Sequence, residues 1–111
     1  MNIIIFCDME GISGICRASQ VTAGTADYHD ACVSMTADVN ACIRGCIEGG
    51  ASKVVVRDVH ATCSNIIWKE LDARVDSLIS GIPGQTRFAG IDDFDGLILL
   101  GYHAMPGTCG G

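Results

Sequence analysis

The sequence has 111 residues, 49% of them hydrophobic and 18% charged, with a formal charge of −6, a profile that suits one compact α/β domain. The acidic balance and the lack of any Lys/Arg run exclude a basic phosphate-backbone binder, so no nucleic-acid partner is expected. The N-terminus has no basic segment and its apolar run is too short to span a bilayer, so no membrane partner is expected either. Seven cysteines without a CxxC pair then give the expectation of a reduced, cytoplasmic protein.

In chain order, the first element is a buried strand over Asn2 to Cys7, "NIIIFC". A long helix follows over about Tyr28 to Glu48, with Asp27 as N-cap and Gly49-Gly50 as its stop. Cys32, Met35, Val39, Cys42 and Cys46 step by three and four and give it one apolar stripe, with Asp38, Arg44 and Glu48 off that stripe. "KVVVRD", Lys53 to Asp58, is a second buried strand. A shorter helix is expected over Asn65 to Leu71 with Trp68 and Leu71 inward. Strands over Ser77 to Ser80 and Gly96 to Tyr102 flank a turn at "GIPGQTR", marked by Gly81, Pro83 and Gly84. Continuous apolar runs are the habit of strands covered on both faces of a parallel sheet. The fold class is therefore α/β: a three-layer domain with a mostly parallel sheet and its site at the carboxyl ends of the strands.

Three features meet that edge. Asp8 and Glu10 leave the first strand two residues apart, on one face of an extended backbone, where their charges repel. Asp58 and His60 leave the second strand with the same spacing, and His103 follows the last. Carboxylate oxygens and neutral imidazoles are the ligand set of Zn²⁺, with Mn²⁺ also compatible. A carboxylate can bridge two metals about 3.5–4 Å apart, and Asp8 is the better candidate for that bridge. Asp58 reads either as a turn cap or as the outer partner that orients His60. His29 reads as a solvated surface residue, and Asp92, Asp93 and Asp95 as a solvated acidic turn. Gly11 and Gly14, in "GISG", are adequately explained by turn geometry.

Together "DMEGISG", "MTADVN", "DVHA" and "GYHAMPGT" resemble the D-aminopeptidase (DppA-like) family of zinc metallopeptidases. The similarity runs from the first strand to the end of the chain. The resemblance implies two Zn²⁺ ions, removal of N-terminal D-residues from short peptides, and assembly into ring-shaped homo-oligomers. It also implies that Asp8 bridges the two ions, that Glu10 and His60 complete the ligands of one, and that His103 binds the other. The family's further carboxylate ligand and catalytic histidine lie downstream of the "GYHA" segment. The expectation is therefore an N-terminal metal-site part of a longer metallopeptidase that holds metal incompletely and turns over poorly alone, and no catalytic residue is assigned within residues 1–111. Arg57 and Val59 flank Asp58 where the family tends to have Asn and Ser, Met105 takes a place often held by Arg, and "GIPGQTRFAG" replaces a loop usually carrying Lys and Ser; these departures bear on substrate preference.

Two other readings stand beside this one. A strand ending in D-x-E-G is also similar to the haloacid dehalogenase phosphatases, which would give Mg²⁺-dependent phosphoryl transfer. That pattern wants Asp at position 10, where this chain has Glu10, and it leaves two histidines unexplained. The last reading is a non-catalytic α/β fragment whose strand-end residues are caps and hydrogen-bond partners.

Overall fold

The structure is a computed structural model and describes residues 1–81 and 90–110; the expected turn at Pro83 and Gly84 lies outside the described residues. Five main elements follow in order: β1 (Asn2–Cys7), α1 (Tyr28–Glu48), β2 (Lys53–Asp58), β3 (Ser77–Ile79) and β4 (Gly96–Leu100). The sheet is all-parallel, in the order β3-β2-β1-β4. β1 and β2, the two central strands, are buried along nearly their whole length, which is why their sequences are apolar runs rather than alternating patterns.

α1 covers one face. Met35, Val39 and Ile43 are fully buried against Ile3, Ile5, Val54 and Val56, and burial of each such side chain contributes about 1.5–3 kcal/mol. The buried stripe runs through Ile43; Cys42 and Cys46 are only half-buried at its margin. Gly50, at φ +96°, makes the left-handed stop. There Gly50 N–H donates to Ile47 O and Ala51 N–H to Cys46 O, each at 3.0 Å, the paired bonds that close a helix C-terminus. Asp27 stands at the N-cap position without capping: its carboxylate accepts from the Ser19 hydroxyl at 2.5 Å instead.

The second face carries Ile4, Phe6, Val55 and Val59, with Ile79, Ile91 and Phe94 packed against them. Among the described residues this third layer is only the short turn Ile91–Asp93 and its neighbours, and Leu97 and Leu99 of β4 remain exposed. Asp95 is more than a solvated acid, since its carboxylate accepts the Asn2 N–H at 2.7 Å and ties β4 to the start of β1.

The helix expected over Asn65 to Leu71 is a single 3₁₀ turn, Trp68–Glu70, and Trp68 is 68% exposed. Residues 65–67 spend their N–H groups on side chains from elsewhere: Asn65 and Ile66 donate to Asp58, and Ile67 to Thr36 Oγ1. Ile67 is extended, and Ile66 fills the core position in place of Trp68. No helix among the described residues is long and apolar enough to cross a membrane. All seven cysteines are free thiols.

Arg57 pairs in register with Phe6 on β1, which in turn pairs with Leu99 on β4, and it is 3% exposed. Its Nε and one terminal nitrogen have no hydrogen-bond partner among the described residues. A buried guanidinium with two of its three nitrogens unbonded costs more than an apolar side chain of similar volume. Arg57→Met is therefore expected to stabilise the fold, by about 1–3 kcal/mol; urea unfolding checks this, and a destabilised variant would show that Arg57 has a partner in solution.

Candidate metal centre

The side chains of the cluster leave the carboxyl ends of three strands. Asp8 and Glu10 follow β1, His60 follows β2 and His103 follows β4. Because these strands are adjacent and parallel, their exits share one edge, and a cleft of about 310 Å³ opens there, lined by Asp8, Glu10, Val59, His60, Ala61 and His103.

Asp8 is the centre. Its Oδ1 lies 3.0 Å from His60 Nδ1, and its Oδ2 lies 3.7 Å from His103 Nε2. One carboxylate thus faces two imidazoles with different oxygens, the disposition a bridging ligand needs. Glu10 Oε1 approaches His60 Nδ1 at 3.1 Å. The atom is buried, yet among the described residues no hydrogen bond satisfies it. Single oxygens or nitrogens from Asp8, Glu10 and His103 all come within 4.8 Å of one another.

Both imidazoles are oriented by backbone carbonyls. His60 Nε2 lies 2.8 Å from Val21 O, and His103 Nδ1 lies 2.8 Å from Ala104 O. A carbonyl only accepts, so those nitrogens carry the protons. In the neutral rings the opposite nitrogens, with free lone pairs, face the carboxylates. Lone pairs aimed at carboxylate oxygens repel unless a proton or a metal ion lies between them. An unsatisfied buried oxygen, a two-sided carboxylate and two imidazoles fixed in this tautomer fit zinc.

Without metal the proton takes that place. The hydrogen bond to Asp8 raises the His60 imidazole to about 9, against the opposing effect of burial, with help from Val21 O and the Glu10 charge. Burial pushes the Asp8 carboxyl up, but the bonds from His60 and from Met9 N–H outweigh it and hold the group below its ordinary range. His103 is raised by its bond to Ala104 O and by the Asp8 charge.

Asp58 resolves in favour of the turn cap. It is fully buried, and it accepts from the backbone N–H groups of His60, Asn65 and Ile66 and from Asn65 Nδ2 at 2.6–3.2 Å. Its bond to His60 is to the backbone N–H, so it positions His60 through the loop backbone. That loop holds Ala61 and Cys63 at φ 49° and 62°, a left-handed conformation that costs non-glycine residues of order 1 kcal/mol each. Asn65, unnoticed in the sequence, completes the support: its Nδ2 donates to His60 O at 2.7 Å and its Oδ1 accepts the Tyr28 hydroxyl. Arg57 points to the opposite face of the sheet, in the Phe6 row, whereas Val59 borders the cleft. His29 is exposed, as expected.

"MTADVN" works as a set of clamps on α1. Thr36 holds Ile67 N–H, Asp38 accepts Ser13 N–H at 2.9 Å, and Asn40 binds Glu70 O and Asp72 N–H. The helix therefore fixes the loops that follow β1 and β2. Gly11 has a reason other than turn geometry: its N–H donates to Gly101 O at 2.7 Å, and a Cβ there would lie 2.7 Å from Tyr102 O. Gly101, at φ +71°, packs so closely that a Cβ would meet Ile12 Cδ1 at 2.7 Å and also the Asp8 carbonyl. This interlock brings the His103 turn against the Asp8 loop and ends β4 at Leu100, short of the expected Tyr102.

Gly11→Ala and Gly101→Ala are each expected to weaken metal binding at least tenfold by parting these turns, whereas Gly14→Ala, with nothing within 4 Å of its added Cβ, keeps metal affinity and loses only conformational stability; calorimetric metal titration of the three separates the cases. In chelator, the raised His60 value makes its proton a stabilising one, complete below about pH 6.5 and lost as pH rises through about 9. A shift of that size corresponds to about 3 kcal/mol. Denaturant unfolding from pH 6 to 10 is expected to show the decline in the wild type and its absence in His60→Gln.

Comparison with known proteins gives the family of the chain. The D-aminopeptidase family, peptidase family M55, matches residues 1–111. D-aminopeptidase of Bacillus subtilis (strain 168) is 32% identical over 111 residues, 99% of this chain and 40% of its own length. A solved structure, the Zn-dependent D-aminopeptidase DppA from Bacillus subtilis, described as a self-compartmentalizing protease, superposes with a TM-score of 0.90 at 34% identity, covering 97% of this chain and 40% of that one. The chain thus spans about two-fifths of the length of these relatives, and it belongs to the D-aminopeptidase family, M55.

Proposed function

We propose that residues 1–111 form the metal-binding part of a zinc-dependent aminopeptidase that removes N-terminal residues, D-residues foremost, from short peptides. The observation that carries this reading is Asp8, whose two oxygens face the free nitrogens of two different histidines. Asp8 would bridge two Zn²⁺ ions, Glu10 and His60 would hold one of them, and His103 the other; Mn²⁺ suits the same donors. Bound there, the ions supply Lewis acidity at a scissile carbonyl.

The chain's own residues do the rest of what this segment contributes. Asp8 and Glu10 would offset part of the ions' charge, and a substrate amine would enter the cleft as the neutral base. Val59 and Ala61 give that cleft an apolar lip. Asp58 and Asn65 hold His60 in place through its backbone. Among the described residues no third histidine reaches the cluster, since His29 is exposed at the start of α1. Proton transfer to the leaving amine therefore calls on a group outside the cluster, and the reading assigns it to polypeptide beyond these residues, which leaves the segment alone with low activity. Assembly into a homo-oligomer, by analogy with the self-compartmentalizing relative, belongs to the same proposal. Phosphoryl transfer has nothing in the site to favour it: a pair of imidazoles facing the strand-exit carboxylates is surplus to a Mg²⁺ phosphatase.

Purified without chelator, the protein is expected to carry zinc that Asp8→Asn and His60→Ala both lose. D-alanyl peptide hydrolysis by the full-length protein is expected to fall at least a hundredfold in each. Zinc-free wild-type protein, or variants that hydrolyse normally, would overturn the assignment.

A further inference from the structure

A second cleft, of about 440 Å³, adjoins the first and shares Glu10 with it. Both volumes lie within the range of about 300–1,000 Å³ typical of small-molecule sites. The second is lined by Ile15, Cys16, Arg17, Ala18 and Val21 besides Glu10. Val21 also joins the two, because its carbonyl orients His60 at 2.8 Å while its body walls the second cleft.

These walls are built rather than loose. Gln20 Oε1 accepts from the backbone N–H groups of Cys16 and Arg17, each at 2.8 Å, and Gln20 Nε2 donates to Gly14 O at 3.0 Å. The Thr22 hydroxyl donates to Ala18 O at 2.7 Å. Arg17 is the one Lys or Arg side chain lining either cleft among the described residues. Its Nε meets Asp27 Oδ2 at 3.6 Å, and Asp27 is itself held by the Ser19 hydroxyl. That contact braces the arm through Nε, and a guanidinium's terminal nitrogens are the pair that best matches a carboxylate.

One end of the paired clefts thus carries the metal-compatible donors, while the other, beyond the shared Glu10, is lined by apolar side chains and the Arg17 guanidinium. A short peptide whose amine and first carbonyl lie at the metal donors would extend its last side chain and its free carboxylate into the adjoining cleft. We propose that the second cleft is the subsite for the C-terminal end of a short peptide. Arg17 pairs with its free carboxylate, and Ile15, Ala18 and Val21 take its last side chain. The subsite then selects peptides with an unblocked C-terminus. This rests on the peptidase reading of the neighbouring cluster.

Cys16 supplies a readout apart from turnover, since it is an exposed thiol on the wall of the cleft, and the exposed Cys109 serves as internal control. Alkylation of each thiol by iodoacetamide would be followed by mass spectrometry in the zinc-loaded full-length protein. Excess D-alanyl-D-alanine is expected to slow the Cys16 reaction at least threefold, its C-terminal amide to have little effect, and Cys109 to be indifferent to both. Arg17→Ala abolishes the difference between acid and amide, and Arg17→Lys restores part of it. In hydrolysis, Arg17→Ala raises KM for the free acid about tenfold with little change in kcat, the mark of lost uniform binding. Hydrolysis in which acid and amide protect Cys16 equally, or not at all, sinks the subsite and leaves the peptidase reading standing. Arg17-dependent protection without any hydrolysis retains the carboxylate subsite and sinks the peptidase reading. Neither protection nor hydrolysis overturns both.

Discussion

Everything at the carboxyl edge of this sheet follows from crowding of like charge. Asp8 and Glu10 leave β1 on one face, and adjacent strands deliver two imidazoles to the same place, one with Nδ1 3.0 Å from Asp8. Val21 O and Ala104 O claim the protons of both rings, so the opposing nitrogens face the carboxylates with their lone pairs. Such a group is held together by positive charge. In the bare protein that charge is a proton on His60, and zinc offers a stronger and more directional version of it.

The rest of the molecule keeps this crowded group from spreading apart. Parallel pairing of β2, β1 and β4 puts three strand exits side by side. Gly11 and Gly101 let two of the exit loops touch backbone to backbone. Asp58 gathers the third loop around its carboxylate and accepts the local strain at Ala61 and Cys63. α1 then ties these loops to the core through Thr36, Asp38 and Asn40. One polar face of one helix positions the loops, and its apolar face anchors them by burial.

Much of this was legible in the sequence, for identifiable reasons. Continuous apolar runs located β1 and β2 to the residue, because a strand buried on both faces has no alternation to blur its ends. The three-and-four spacing located α1, and the rule for strand exits placed Asp8, Glu10, His60 and His103 at one edge. What stayed hidden depends on long-range partners. The segment from Asn65 to Leu71 has helical spacing, but Asp58 and Thr36 capture the N–H groups of residues 65–67 and Asn40 the one at Asp72, leaving a single 3₁₀ turn between. Gly11 looks like a turn residue and is instead a point of contact with a glycine ninety residues away. Asp38 sits off the apolar stripe, as read, yet its partner is a backbone N–H in a loop that sequence spacing could not bring near.

The central claim is that oxygen and imidazole donors of this edge, rather than any of the seven thiols, hold the metal. X-ray absorption at the zinc edge of the loaded protein tests it most directly. The account predicts a first shell of nitrogen and oxygen alone, at about 2.0–2.2 Å, with imidazole scattering beyond it. A sulfur shell at about 2.3 Å would place the metal on cysteine and contradict the account.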